Sequence, residues 1–146
     1  MRVAAIRSRG EWSGPPADRI ALTYDDRHRR RMALTGESGL NILLDLPHAH
    51  HLRGGDGLEL DDGRIVEVLA EPEALLEVRG RNRYHLLRIA WHLGNRHLPA
   101  QIESDRILIR RDHVIAQMLE QQGASLREIV EPFDPETGAY GHSHDL

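Results

Sequence analysis

The histidines are the residues of this chain best suited to binding a metal ion. The 146 residues include ten histidines, well above typical usage, and no cysteine. Neutral imidazole is a natural ligand for nickel, copper and zinc. For any single histidine, an ordinary surface or capping role is the alternative. The absence of cysteine excludes thiolate metal sites, disulfides and cysteine nucleophiles. The composition therefore favours a site that binds a divalent transition metal through imidazole ligands.

His97 is the sharpest candidate ligand. It lies in Gly94-Asn95-Arg96-His97-Leu98-Pro99, just past the predicted end of a helix. The partial negative charge at a helix C-terminus favours a bound cation there. One imidazole makes a poor site, but two copies of the chain around a two-fold axis would place two imidazoles on one ion. The alternative is a histidine that satisfies the last carbonyls of its own helix.

Three more histidines fall on the predicted helices of the second half. His85 and His92 are seven residues apart, so they share one helix face, and we expect His85 to lie on a partly exposed surface. His113 is predicted to open the second helix, directly after Asp112, where a solvated helix start is the alternative. His113 becomes a stronger candidate ligand only if the fold brings it near the strand that follows His97.

The remaining histidine groups lie in segments without predicted secondary structure. His142 and His144 end the chain in a Gly-flanked tail, which could swing onto a metal held elsewhere and then release it. A purification tag or a neutral solvent tail is the alternative. The loop histidines after Pro47 are expected to be solvated; they are His48, His50 and His51.

Charge and motif content narrow the class of protein. The net charge is −4 with neutral histidines, which argues against a nucleic-acid or membrane-surface protein. No segment approaches the roughly 18 apolar residues of a membrane span. The motifs of serine hydrolases, zinc proteases, dinucleotide-binding enzymes and P-loop NTPases are absent. We therefore expect a soluble cytoplasmic protein that is not an enzyme and binds neither nucleic acid nor membrane.

The first half reads as a small all-β domain spanning residues 1–71. Several short apolar runs are separated by turn residues, a pattern typical of a small sandwich or barrel. Asp62-Gly63 between two alternating runs predicts a β-hairpin with a tight turn. The character of the sequence changes near Glu71-Pro72.

Residues 72–133 predict the order β-α-β-β-α-β, which is the ferredoxin-like arrangement. Asn82 and Asp112 are candidate N-caps of the two helices. Gly94 and Gly123 suit the positions just past the two helix ends. Residues 134–146 are predicted to be a short flexible tail. The fold class is therefore α+β, with an N-terminal β domain followed by a ferredoxin-like domain.

Three segments together resemble the UreE family of urease accessory proteins. The first is Trp91-His92-Leu93-Gly94-Asn95-Arg96-His97-Leu98-Pro99-Ala100-Gln101. The second is Asp112-His113-Val114. The third is Glu131-Pro132-Phe133-Asp134-Pro135-Glu136-Thr137-Gly138-Ala139-Tyr140, followed by histidines. Either the first or the third string alone would be a weak signal, but their occurrence in this order is specific.

The resemblance implies a homodimeric metallochaperone that carries Ni²⁺ to urease. His97 would meet its symmetry mate and bind nickel between the protomers, with His142 and His144 completing or supplying the site. His92 and His113 match positions associated with additional metal binding, and Zn²⁺ or Cu²⁺ could also bind. The implied partners are the GTPase and other accessory proteins of urease maturation, and through them apo-urease; the N-terminal domain would engage these components.

Two other functions remain as alternatives. A metal-dependent hydrolase would need an open metal position and a nearby general base, and the sequence offers no such base beside His97. An RNA-binding module shares the βαββαβ order but needs aromatic residues on its central strands. The two strands expected at that position, Gln101-Ile102-Glu103 and Ile107-Leu108-Ile109, have none.

Overall fold

The computed structural model describes residues 1–136, which form two compact units. The first unit is Met1–Glu71 and the second begins at Pro72. The predicted α+β class is confirmed, because the first unit is built of strands and the second combines strands with two helices. Within residues 1–136 no helix has the length and apolar character needed to cross a membrane.

The N-terminal unit contains a four-stranded and a two-stranded sheet. The larger sheet has the order β1-β5-β6-β2, in which only the β2–β6 pair is parallel, and β3 pairs with β4 in the smaller sheet. The predicted hairpin at Asp62-Gly63 joins β5 to β6, and Gly63 has the positive φ that a tight turn requires. The elements are β1 (Val3–Arg7), β2 (Asp18–Leu22), a 3₁₀ turn (Asp26–His28), β3 (Arg31–Thr35), β4 (Asn41–Asp45), β5 (Gly57–Leu60) and β6 (Ile65–Ala70).

A buried carboxylate holds the β3–β4 turn. The side chain of Asp18 accepts backbone N–H bonds from Ser38 and Leu40, at 2.9 and 3.2 Å. These bonds, that of Ser38 foremost, lower the pKa of Asp18 below its usual range. Gly36 leaves the room for this contact, since a Cβ there would overlap the Asp18 carboxylate.

The C-terminal unit has the predicted ferredoxin-like order. Its antiparallel sheet has the strand order β10-β7-β9-β8, and apolar side chains of both helices and the sheet form one core. The elements are β7 (Pro72–Arg79), α1 (Arg83–Asn95), β8 (Gln101–Ile102), β9 (Ile107–Arg110), α2 (His113–Gln121) and β10 (Ser125–Pro132).

Both predicted N-caps are confirmed. The Asn82 side chain accepts from the N–H of His85 at 2.8 Å, and Asp112 accepts from that of Ile115 at 3.1 Å. Gly123 follows α2 with a positive φ of 83°, as predicted. These local signals place the starts of α1 and α2, and with them the positions of His92 and His113.

His85 is buried, so the expected partly exposed position is wrong. Its Nδ1 accepts from the backbone N–H of Arg81 at 2.9 Å, and its Nε2 donates to the Gln122 carbonyl at 2.7 Å. One imidazole therefore ties the start of α1 to the end of α2. Both ring nitrogens are used, so His85 serves the fold rather than metal binding.

A charged cluster lies on the sheet face opposite the helices. Glu77 is only 3% exposed and contacts three arginines: Arg106 at 2.8 Å, Arg79 at 3.0 Å and Arg127 at 3.3 Å. Hydrogen bonds from Arg79 and Arg106 lower the pKa of Glu77 to about 2. Arg106 also binds Glu131 at 2.9 Å and lowers the pKa of that carboxylate.

The chain stays attached to the sheet for several residues past β10. Phe133 is fully buried, and the N–H of Asp134 donates to the Gln101 side chain at 2.9 Å. Glu136 then donates its N–H to the Ala100 carbonyl, beside β8. At the start of the segment predicted from sequence to be a flexible tail, Asp134 and Glu136 are thus hydrogen-bonded to residues at the sheet edge.

Candidate metal site at the end of helix α1

His97 follows the C-cap residue Arg96 at the end of α1, and its side chain is exposed. Its φ is 57°, and within residues 1–136 it is the one non-glycine residue with a positive φ. The N–H groups of Arg96 and His97 donate to the carbonyls of Leu93 and Gly94, each at 3.1 Å. These bonds close the last turn of the helix and fix the backbone position from which the His97 side chain extends.

The left-handed position after the helix is occupied by His97, not by Gly94 as the sequence predicted. Gly94 is still helical, because α1 continues to Asn95. Glycine is the residue that adopts this conformation without a steric cost, whereas a residue with a Cβ is strained there. A strained histidine where glycine would be more stable points to a role for its side chain.

The strain predicts an unusual order of stabilities. Replacing His97 by glycine should give a protein about 1 kcal/mol more stable to urea than replacing it by alanine, because alanine keeps the Cβ. If His97 is a nickel ligand, both variants should lose tight nickel binding equally. Gly94→Ala is the matched control: a Cβ there meets nothing within 4 Å, so it should leave nickel binding unchanged. An alanine variant as stable as the glycine variant would refute the strain.

His92 and His113 occupy different surroundings. His92 lies half-buried in the last turn of α1, with its ring 5.2 Å from that of Trp91 in an edge-to-face contact. His113 is exposed at the start of α2, and its Nε2 is 3.4 Å from the amide nitrogen of Gln117. The structure places each on its own helix.

One cavity connects the chain neighbours of His97 with those of His113. Its volume is about 270 Å³, and its walls include Leu98 and Pro99 on one side and residues 110–112 on the other. The fold therefore brings the segment after His97 close to the start of α2. This is the proximity that the sequence left open for His113.

A single protomer does not complete a coordination sphere among its described residues. Within residues 1–136, no three histidine, aspartate or glutamate side chains are grouped closely enough to hold a metal ion. His142 and His144 lie outside the described residues. A metal held by His97 would thus need ligands from a second chain or from residues beyond 136.

The outer face of α1 carries an apolar stripe that the sequence analysis missed. Tyr84, Leu87 and Trp91 are 70%, 63% and 66% exposed, and their spacing of three and four places them on one face. Beside Leu87, the exposed Ile102 helps to line a cavity of about 250 Å³. The same spacing is legible in the sequence, next to the buried stripe of Leu86, Ile89 and Leu93.

Both halves of the chain match models of one protein family. Residues 2–71 match the UreE urease accessory protein N-terminal domain, and residues 73–146 match the UreE urease accessory protein C-terminal domain. The chain belongs to the UreE family. The resemblance that rested on three short segments is thereby confirmed over nearly the whole length.

Similar proteins extend this relation to individual UreE chains, each named urease accessory protein UreE. The one from Rhodopseudomonas palustris strain HaA2 is 57% identical over 145 residues, which is 99% of this chain and 67% of the relative. That from Chelativorans sp. strain BNC1 is 60% identical over 88% of this chain and 82% of the relative. The one from Ruegeria pomeroyi is 54% identical over 94% of this chain and 89% of the relative. UreE proteins are accessory proteins and not enzymes, which answers the hydrolase alternative.

Proposed function

We propose that this UreE chain is a homodimeric metallochaperone that binds Ni²⁺ between two copies of His97 and delivers it for urease assembly. The observation that carries the proposal is the placement of His97. An exposed imidazole follows a 13-residue helix, in a backbone conformation that disfavours any side chain. The helix C-terminus adds a partial negative charge that favours a cation.

The apolar stripe on α1 supports the homodimer. Three large exposed side chains on one helix face are typical of a protein–protein interface, since their burial stabilises association. Trp91 lies near the helix end that carries His97. A two-fold axis close to this end would pair the stripes and bring the two His97 side chains to one ion.

The remaining histidines complete the proposal. His142 and His144 would supply exchangeable ligands to the shared ion, and His92 and His113 would bind further ions on the same domain. Imidazole ligands also suit Zn²⁺ and Cu²⁺, so both should compete with nickel. Nickel affinity should fall on acidification, because protons compete for the same ring nitrogens.

Delivery requires partners, and we assign their recognition to the N-terminal domain, residues 1–71. The proposed partners are the GTPase and other accessory proteins of urease maturation, and through them apo-urease, in the cytoplasm. A site with exchangeable positions can pass its ion to a partner that supplies more ligands. The family name carried by the relatives, urease accessory protein, supports this assignment.

Delivery is tested by loading the chain with nickel and adding it to apo-urease with the other maturation components. The wild type should restore urease activity, and His97→Ala should lower the initial rate of activation by about 100-fold, because its ion is lost. Arg96→Ala, one residue earlier in the same loop, should behave as wild type. Equal activation by His97→Ala and the wild type would contradict delivery through His97.

A further inference from the structure

The N-terminal unit contains two histidine rings in contact with each other, and neither belongs to the candidate site at His97. His28 ends the 3₁₀ turn, and His51 lies in the loop between β4 and β5. Their ring centroids are 4.0 Å apart, with the ring planes inclined by 46°. The Tyr24 ring lies 4.4 Å from that of His28 and 5.7 Å from that of His51.

A backbone hydrogen bond joins the two chain segments that carry these rings. The N–H of Leu52 donates to the Arg27 carbonyl at 2.9 Å, which joins the residue after His51 to the residue before His28. Leu52 is fully buried in the core of the unit and anchors the loop. Both histidines are half-buried. Their proximity is therefore built into the fold and does not depend on free surface rotamers.

A hydrogen bond fixes the tautomer of His28. Its Nδ1 lies 2.8 Å from the Tyr24 carbonyl oxygen, which can only accept. The proton of the neutral ring must then be on Nδ1, and Nε2 carries a lone pair. Histidines that bind metals are oriented in this way, with the second ring nitrogen donating to a carbonyl or carboxylate.

We propose that His28 and His51 form a second binding site for a divalent transition-metal ion such as Ni²⁺. With a metal–nitrogen bond of about 2.1 Å, two neighbouring imidazoles on one ion hold their centroids roughly 4.5 Å apart. The observed 4.0 Å is somewhat shorter than this value, so the two rings must move apart slightly and turn for both to bind one ion. This site is distinct from the one proposed for delivery, because His28 and His51 belong to the N-terminal unit and His97 to the C-terminal unit.

The charged neighbours set the expected strength of this site. Arg27 is fully buried next to His28 in the chain, and its positive charge disfavours a cation. Asp26 forms an ion pair with Arg29 at 3.1 Å, so its charge is partly compensated. The exposed His48 and His50 precede His51 in the loop and can add ligands. The site should therefore bind more weakly than one at His97, which suits transient loading.

Histidine ring signals in the NMR spectrum of the full chain test this site. The experiment uses His97→Ala, so that the proposed shared site is removed, and adds nickel sulfate stepwise. Paramagnetic Ni²⁺ should broaden the ring signals of His28 and His51 together. In a further His28→Phe variant, which keeps an aromatic ring against Tyr24, the His51 signals should stay sharp. His113→Phe is the control and should leave the broadening of His28 and His51 unchanged.

Two outcomes would overturn the site. One is that the ring signals of His28 and His51 stay sharp throughout the titration. The other is that His51 broadens equally in the His28→Phe variant, which would place the ion elsewhere in the loop. Neither outcome bears on delivery through His97, because that residue is absent from every sample.

Discussion

Replacing Trp91 by glutamate should convert the proposed homodimer into monomers and weaken nickel binding at the proposed shared site, although every proposed ligand remains. Trp91 is exposed in the protomer, with Tyr84 and Leu87 on the same face of α1. A carboxylate placed in a closely packed apolar interface loses its hydration without gaining a partner. A large aromatic residue at an interface often carries a major share of the binding energy.

The Trp91 prediction separates the interface from the ligands. Light scattering should report the mass of one chain for Trp91→Glu and of two chains for the wild type. Nickel affinity should fall by about tenfold or more, since the second imidazole is no longer held nearby. Gln121→Glu adds the same charge to the exposed end of α2 and should change neither quantity. A dimeric Trp91→Glu chain with normal nickel affinity would rule out this face.

Replacing Glu77 by glutamine should lower the free energy of unfolding by about 2 kcal/mol, because it removes the charge-assisted hydrogen bonds between this buried carboxylate and its arginines, of which Arg106 is the least exposed. Three arginine side chains converge on Glu77 within 3.3 Å. The neutral amide keeps the shape but supplies only one acceptor oxygen. Glu128 is the matched control: its side chain is 70% exposed and pairs with Arg111, so Glu128→Gln should have little effect.

The effect of Glu77 should also depend on pH. Its pKa falls from an ordinary 4.5 to about 2 in the folded chain. The carboxylate therefore contributes stability above about pH 4.5, and this contribution is lost as the pH falls towards 2. Urea denaturation of the wild type and Glu77→Gln should give a stability difference that narrows below pH 4.5. A constant difference between pH 7 and pH 3 would mean that the charge of Glu77 is not the stabilising feature.

Much of the fold can be predicted from the sequence, because the patterns that specify the strands, helices and helix caps are local. Alternating apolar residues predict the strands, and the helical stripe of Leu86, Ile89 and Leu93 is indeed buried in α1. Asn82 and Asp112 cap the helices through hydrogen bonds to residues three positions later. Such contacts depend on spacing alone, so they can be predicted without knowing the tertiary structure.

The missed features depend on contacts between distant segments. His85 is buried because its ring meets the Gln122 carbonyl, 37 residues later in the chain. Glu77 contacts arginines from β7, from β10 and from the residue just before β9, which no local pattern groups together. The usual preference for glycine predicts the left-handed position at Gly94, whereas α1 continues to Asn95 and that position falls at His97.

The candidate site itself was only partly predictable. The sequence singled out His97 from its position after a helix, and the resemblance to the UreE family supplied the shared ion. The structure adds the strained backbone, the cavity between residues 98–99 and 110–112, and the exposed stripe on α1. These three features depend on how the helix ends and on which faces the core covers.

The central claim is that one nickel ion is shared by His97 of two protomers, and a calorimetric nickel titration combined with light scattering tests it most directly. For the wild type we expect a dimer that binds tightly about half an equivalent of nickel per chain. His97→Ala should lose this binding while the weaker sites remain. Tight binding that persists in His97→Ala, or a full equivalent bound tightly by each wild-type chain, would contradict a shared site at His97.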